Sequence, residues 1–176
     1  MESCWITDSM LFASSLLRWL NKLERARLNW EADLPNAIGA GWIPDPSDTA
    51  LGTSNMTALH IFSSLLTQGC GNEDAWVETF SLAYSNASWN WKHITYQESA
   101  PLVVTGNTDQ VTVVEVTFGE VYGQYLRILP LSWHNHVGLP FGIVGCPRRN
   151  GCNVNSHLCM PPLPTTDLTK PIIKPR

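Results

Sequence analysis

A period of two in the apolar residues, repeated in separate segments, limits this chain to β-architecture more tightly than any other feature. In VETFSLAYS the residues Phe80, Leu82 and Tyr84 fall on one side, and in VTVVEVTF the residues Val114, Val116 and Phe118 do. In YLRIL, Leu126 and Ile128 oppose Arg127. Successive strand residues point to opposite faces, so each segment buries one face and wets the other. Turn-forming residues lie between the segments: Asn86 to Asn90, Gly106-Asn107, Gly119 and Gly138. Short strands at this spacing predict an all-β sandwich or barrel, with Phe80/Leu82/Tyr84 and Val114/Val116/Phe118 facing its core. A length of 176 residues suits one domain with a tail, and it suffices for a core without metal or disulfide support.

Two regions depart from this pattern. SSLLRWLNKLERARLNW has Ser14 or Ser15 as an N-cap and Leu16, Leu20 and Leu23 at helical spacing, which by local pattern predicts a short helix. From Pro147 onward the strand periodicity stops. The segment 147–176 reads as a cysteine-bearing loop followed by a proline-rich, extended linker.

Charge and cysteine content narrow the class of function. A net charge of −4 lacks the basic excess that nucleic-acid binding needs. Five cysteines, Cys4, Cys70, Cys146, Cys152 and Cys159, leave one unpaired or paired outside the chain. Together with the N-glycosylation sequons at Asn55 and Asn86, they favour an extracellular context. No apolar run is long enough for a membrane span. MESCWITDSM lacks the basic start and apolar run of a signal peptide. An extracellular placement therefore implies that the chain is a fragment of a longer one.

ITDSMLFASS, ARLN, the Gly41-Trp42 pair, TQGCGNEDAWVETFSLAYS, WNW, TGNTDQVTVVEVTF and YLRILPLSWHNHVGLPFGIVGC follow one another between Met1 and Cys146. In this order they resemble the discoidin domain, also called the coagulation-factor C-type domain. The last two blocks are the most specific, because long ordered strings match. The resemblance implies a jelly-roll β-sandwich over residues 1–146, with its termini at one end and ligand-binding loops at the other, and a tail over 147–176. It implies a non-enzymatic adhesion or recognition module whose ligand is a phospholipid surface, a glycan or an extracellular protein. The cysteine-bearing tail suits mosaic extracellular glycoproteins of the SCO-spondin type, so other domains of a longer parent chain are expected partners.

The sequence departs from the family in three places. The segment between ALHIF and SSLLTQG is short, so one hairpin is expected to be lost or rebuilt. Pro140-Phe141 stands where the family has arginine, and proline removes a ladder donor. The chain begins just after the family's first cysteine, which displaces Cys4 from the position that closes onto Cys146. Disulfides Cys4–Cys146, Cys146–Cys152 and Cys152–Cys159 all stay open. The resemblance also places Leu16 to Leu23 inside the first ligand-facing loop, so the expectation there becomes a loop with one helical turn.

Three loops are then candidate ligand contacts. In the first, Leu16, Leu17 and Trp19 beside Arg18 and Lys22 combine apolar insertion with attraction to anionic headgroups, against the plainer reading that they fill a core. In the second, Glu73 and Asp74 make an acidic turn that suits a cation, a basic protein or sugar hydroxyls, and Cys70 beside them is a buried thiol or an intermolecular link. In the third, SWHNH, Trp133, His134 and His136 are candidate contacts, with His134 favoured as the contact and Trp133 as the packing residue, against the plainer reading of a turn in which Trp133 packs and the histidines are merely exposed. Two histidines one residue apart lack the third and fourth ligands of a metal site, and Cys146, Cys152, His157 and Cys159 fit no zinc spacing. No metal or cofactor is expected. No acid–base pair, nucleophile motif or phosphate loop points to an enzyme.

Overall fold

The computed structural model describes residues 8–17, 21–36, 38–45, 53–96, 100–147 and 158–159, with backbone alone at 53–59, 147 and 158–159. Ten strands follow in chain order: β1 (Leu11–Phe12), β2 (Thr53–Thr67), β3 (Trp76–Ser85), β4 (Lys92–His93), β5 (Thr95–Tyr96), β6 (Ala100–Pro101), β7 (Val103–Thr105), β8 (Val114–His134), β9 (Phe141–Pro147) and β10 (Leu158–Cys159). Hydrogen bonds join them in the order β10-β9-β2-β8-β3-β4, with β1 on β2 and β7 on β3, while β5 and β6 form a separate hairpin. All the strand pairings are antiparallel.

β8 is the hinge of this arrangement. β2 pairs with it from Val114 opposite Thr67 to Gly123 opposite His60, and again from Tyr125 opposite Asn55 to Arg127 opposite Thr53. The second part of β8 pairs with β3, from Tyr125 opposite Ser85 to His134 opposite Trp76. The sequence suggests two strands separated by a turn at Gly119. Instead one strand of 21 residues runs through, and Gly119 adopts φ +81°, a left-handed conformation that glycine enters without steric cost. Residues 125–127 thus pair with β2 on one side and with β3 on the other, so β8 runs through the middle of one continuous sheet.

The layers meet in one core. Phe62 and Leu65 from β2, Phe80 and Leu82 from β3, Leu126 and Ile128 from β8 and Ile143 from β9 are buried in one cluster with Trp42. The period of two is therefore real: Phe80 and Leu82 are fully buried, and Tyr84, Val116 and Phe118 pack against the cluster partly buried. Val114 is half-buried and lies at the margin.

Among its described residues, the region that was ambiguous between helix and loop shows no α-helix, a 3-10 turn at Leu23–Arg25 and a 3-10 residue at Asn21. Its physical reason is tertiary. Asn21 is 1 % exposed and its side-chain amide donates to the carbonyl of Gly41, so this position anchors one loop to another. The shortened segment before TQG is likewise resolved: Thr53–Thr67 forms one strand of 15 residues, with register shifts against β8 between Asn55 and His60 and between Phe62 and Ser64. Pro140 precedes β9, so its missing N–H interrupts no ladder, and its carbonyl accepts a bond from Gln68 N. Beyond Pro147, Leu158 and Cys159 return to pair with Val144 and Ile143 of β9.

Candidate functional site

The loops at the Thr67–Trp76 end are assembled around a cysteine. The turn after β2 closes on itself, with Cys70 N donating to Ala75 O and Glu73 N to Cys70 O. Cys70 is 0 % exposed and packs with Ile43 and Ala75, and Leu17 leans on the same cluster. Gly41 and Gly138 approach so closely that a Cβ on either would stand 2.8 Å from a Cys70 side-chain atom. Burial, reinforced by the nearby Glu73 charge, pushes the thiol pKa up to about 11. Cys70 is thus a core residue of the loop end, and the intermolecular link is excluded by its burial.

Asp74 fastens three loops from the outside. Its carboxylate meets His134 Nε2 at 3.2 Å, accepts from Asn135 Nδ2 at 3.0 Å, and accepts from Gln110 Nε2 at 3.0 Å. Asn135 Nδ2 also donates to the Asp74 carbonyl, and the φ of +52° at Asn135 turns its amide toward that position. The His134 ring stacks on Trp76 with 4.0 Å between centroids. These bonds, led by those from His134 and Gln110, hold the Asp74 carboxyl below its ordinary value of 3.8.

Beside this hub lies a groove of about 400 Å³. Trp30 and Glu31 line it together with four side-chain amides, those of Asn29, Gln68, Asn72 and Gln110. Gln68 is the bracket between its walls: its Oε1 accepts Asn29 N, and its Nε2 donates to Val111 O. Asn72 ties the turn after β2 to the preceding loop by accepting Ala40 N at 2.6 Å. Arg25 sits 5.3 Å from the Trp30 ring centroid, and the buried indole N–H of Trp30 has no partner.

The candidate contacts distribute unevenly over this end. Leu16 is exposed, whereas Leu17 is half-buried against Ile43 and Cys70 and its N–H bonds Ile43 O. Arg18 and Trp19 lie outside the described residues. Lys22 and Glu73 are half-buried, and Asp74 and His136 are exposed. The expected roles of Trp133 and His134 are exchanged. Trp133 is 43 % exposed, while the half-buried His134 is occupied by Trp76 and Asp74. Adjacent strand residues face opposite ways, so the side that carries His134 to Trp76 turns Trp133 outward. Sequence reasoning missed Trp30 and the amides. Trp30 directly follows ARLN and was the available signal, but isolated amides carry no motif. Among the described residues no cluster of His, Cys, Asp and Glu is arranged to hold a metal.

At the far end Cys146 is buried. Cys4 and Cys152 lie outside the described residues, and Cys159 is described by its backbone alone. Asn86 is exposed, and Asn55 lies in β2 with its backbone opposite Tyr125.

Comparison with known proteins agrees with this geometry. Residues 19–141 match the family model of the F5/8 type C domain. Retinoschisin of Takifugu rubripes is 28 % identical over 125 residues, which cover 69 % of this chain and 43 % of that protein. SCO-spondin of Gallus gallus is 33 % identical over 116 residues, 61 % of this chain and 2 % of that protein. The chain therefore spans less than half of either relative. The wild-type discoidin II structure from Dictyostelium discoideum superposes with a TM-score of 0.71 at 20 % identity, covering 81 % of this chain and 56 % of that one. A β-sandwich in which β8 joins β2 to β3, with loops gathered on Cys70 and Asp74, and a family match across most of its length together make this chain a member of the F5/8 type C, or discoidin, domain family.

Proposed function

We propose that this chain is an extracellular recognition module that holds a glycan in the groove at its loop end and catalyses no reaction. The groove's chemistry carries the reading: four neutral amides and one tryptophan line it. Gln68 and Asn72 are engaged within the fold, while Asn29 Nδ2 and Gln110 Oε1 make no bond among the described residues; one donor and one acceptor beside an indole face suit a ligand rich in hydroxyls. Exposed Leu16 and Val111 favour the alternative of a phospholipid surface, but Glu31, Glu73 and Asp74 at the same end disfavour an anionic one. A module of a longer mosaic glycoprotein whose partner is another protein is the remaining reading, supported by the small share of each relative that the chain spans. The module is proposed to occupy 1–146, with 147–176 as its tail and a disulfide at Cys146.

The test presents the full chain to a glycan array and, in parallel, to vesicles with and without phosphatidylserine. Retention on particular glycans is expected. Trp30→Ala, with its fold checked by circular dichroism, is expected to weaken it at least about tenfold, the equivalent of roughly 1.4 kcal/mol. Undiminished glycan binding by that folded variant removes the groove from the reading. Binding to phosphatidylserine vesicles alone replaces the glycan by a phospholipid, and binding to neither leaves a protein partner.

A further inference from the structure

Trp89 is the most exposed of the large hydrophobic residues described, at 83 %. It stands in the turn that follows β3, three residues after Asn86 of the sequence Asn86-Ala87-Ser88. Neighbouring aromatics are engaged: Trp91 lies under the Arg127 guanidinium at 3.8 Å and edge-on to Tyr125 at 6.2 Å. Trp89 has no such neighbour among the described residues. The turn itself is well held. Ser85 Oγ accepts Ala87 N at 3.0 Å and also donates to the Ala87 and Asn90 carbonyls, while Asn90 N donates to Ala87 O. Trp91 Nε1 donates to the Ser88 carbonyl at 2.9 Å. Only the Ser88 backbone takes part, and the side chains of Asn86 and Ser88 are exposed without hydrogen bonds among the described residues.

We propose that Asn86 is an N-glycosylation site and that the first sugar of its glycan covers the Trp89 indole. An acceptor sequon needs an accessible asparagine amide and a free hydroxyl two residues on. Asn86 and Ser88 provide both. The donor is a lipid-pyrophosphate-linked oligosaccharide. The amide nitrogen forms a bond to its anomeric carbon, the bond from that carbon to the pyrophosphate oxygen breaks, the lipid pyrophosphate leaves with the electron pair, and the amide gives up one proton. Nothing is oxidised or reduced. Once attached, the apolar face of the first sugar lies over an indole that the protein leaves bare, which burdens no other contact. The second sequon differs: Asn55 sits within β2, its backbone already in register with Tyr125. The glycan would also leave the ligand end clear. Asn86 follows the Ser85 end of β3, and the groove's hub lies beyond the Trp76 end, about 30 Å away along a ten-residue strand.

The proposal rests on the extracellular placement above, and the experiment separates the two. The full chain is fused to a cleavable secretion leader and expressed in cultured animal cells, so entry into the secretory pathway is supplied. The mass lost on treatment with peptide N-glycosidase is read for the wild type, Asn86→Gln, Ser88→Ala and Asn55→Gln. The loss is expected in the wild type and Asn55→Gln and absent for the residue-86 peptide in Ser88→Ala. Digestion of the wild type in heavy-oxygen water marks the modified asparagine directly, which covers a variant that fails to secrete. An unmarked Asn86 overturns the proposal whatever the glycan array reports, and an array failure leaves it standing. For the stacking, melting midpoints are compared between secreted wild type and Ser88→Ala, with and without Trp89→Ala. The glycan is expected to raise the midpoint by about 2–4 °C only when Trp89 is present. An equal shift in both backgrounds overturns the contact with Trp89.

Discussion

Cys70 and Asp74, four residues apart, hold the loop end by opposite means. Cys70 does so by volume: Gly41, Ala75 and Gly138 close around its sulfur. With its pKa near 11 and no exposure, the folded thiol is expected to resist maleimide at about pH 8 and to react within minutes of adding denaturant, because only the thiolate attacks. Labelling of the folded chain at the rate of a free cysteine would contradict its place in the core. Asp74 does so by hydrogen bonds that tie its own turn to two other loops, at Gln110 and at His134-Asn135. Its folded pKa lies below 3.8, so its contribution to stability is complete above that value and is lost as the pH falls through the folded pKa. Melting curves of the wild type and Asp74→Ala should therefore differ at pH 6 and converge as the pH drops below the ordinary carboxylate range. A difference that does not change with pH would assign the effect to packing instead. Asp74→Ala should also weaken ligand binding, since the loops bordering the groove lose their common anchor.

At the scale of the strands, two glycines test why the sandwich holds its shape. A Cβ on Gly145 would stand 2.3 Å from the Ile61 carbonyl oxygen and 3.2 Å from the Phe62 Cα, both backbone atoms that cannot swing aside. Gly145→Ala must push β9 from β2 and is expected to cost about 1–3 kcal/mol. Gly119 has open space around it but a φ of +81°. Gly119→Ala is expected to cost about 1–2 kcal/mol through backbone conformation alone. Chemical denaturation of the two variants measures both. A core truncation sets the scale: Phe80→Ala should lose about 3–5 kcal/mol, because the ring is fully buried between the layers. The period of two made Phe80 and Leu82 readable as core, since burial on one face of a strand leaves its trace in every second residue. The continuity of β8 was not readable, because a glycine at a bulge and a glycine at a turn look alike until the partner strands are known.

As a whole molecule, the chain carries its candidate ligand groove and its Asn86 turn at opposite ends of β3. The buried Cys146 lies toward the Asn86 end, away from the groove. On the proposed reading a groove of about 400 Å³ would bind weakly by itself, and this chain spans less than half of either relative. Presented as a tetramer on a streptavidin scaffold, the chain is expected to bind a glycan-coated surface 10²–10⁴-fold more tightly, as estimated from effective concentration. Surface plasmon resonance on sparse and dense glycan surfaces measures this, and a gain independent of ligand density would argue against multivalency.

Alternation of apolar residues and an ordered set of strings determined the all-β class, the family and the general position of the loops, because these are local signals written along the chain. Tertiary structure alone decided which loop residues are free. Leu16 and Leu17 are equally apolar, yet only Leu17 finds Ile43 and Cys70 to pack against. Trp133 and His134 are adjacent, yet strand alternation sends one to solvent and the other to Trp76 and Asp74. The groove is the clearest case. Asn29, Gln68, Asn72 and Gln110 are scattered across 82 positions, and each alone is an ordinary polar residue. They become one surface because Cys70 is small enough for Gly41 and Gly138 to close over it, and distance in space follows from packing rather than from position along the chain.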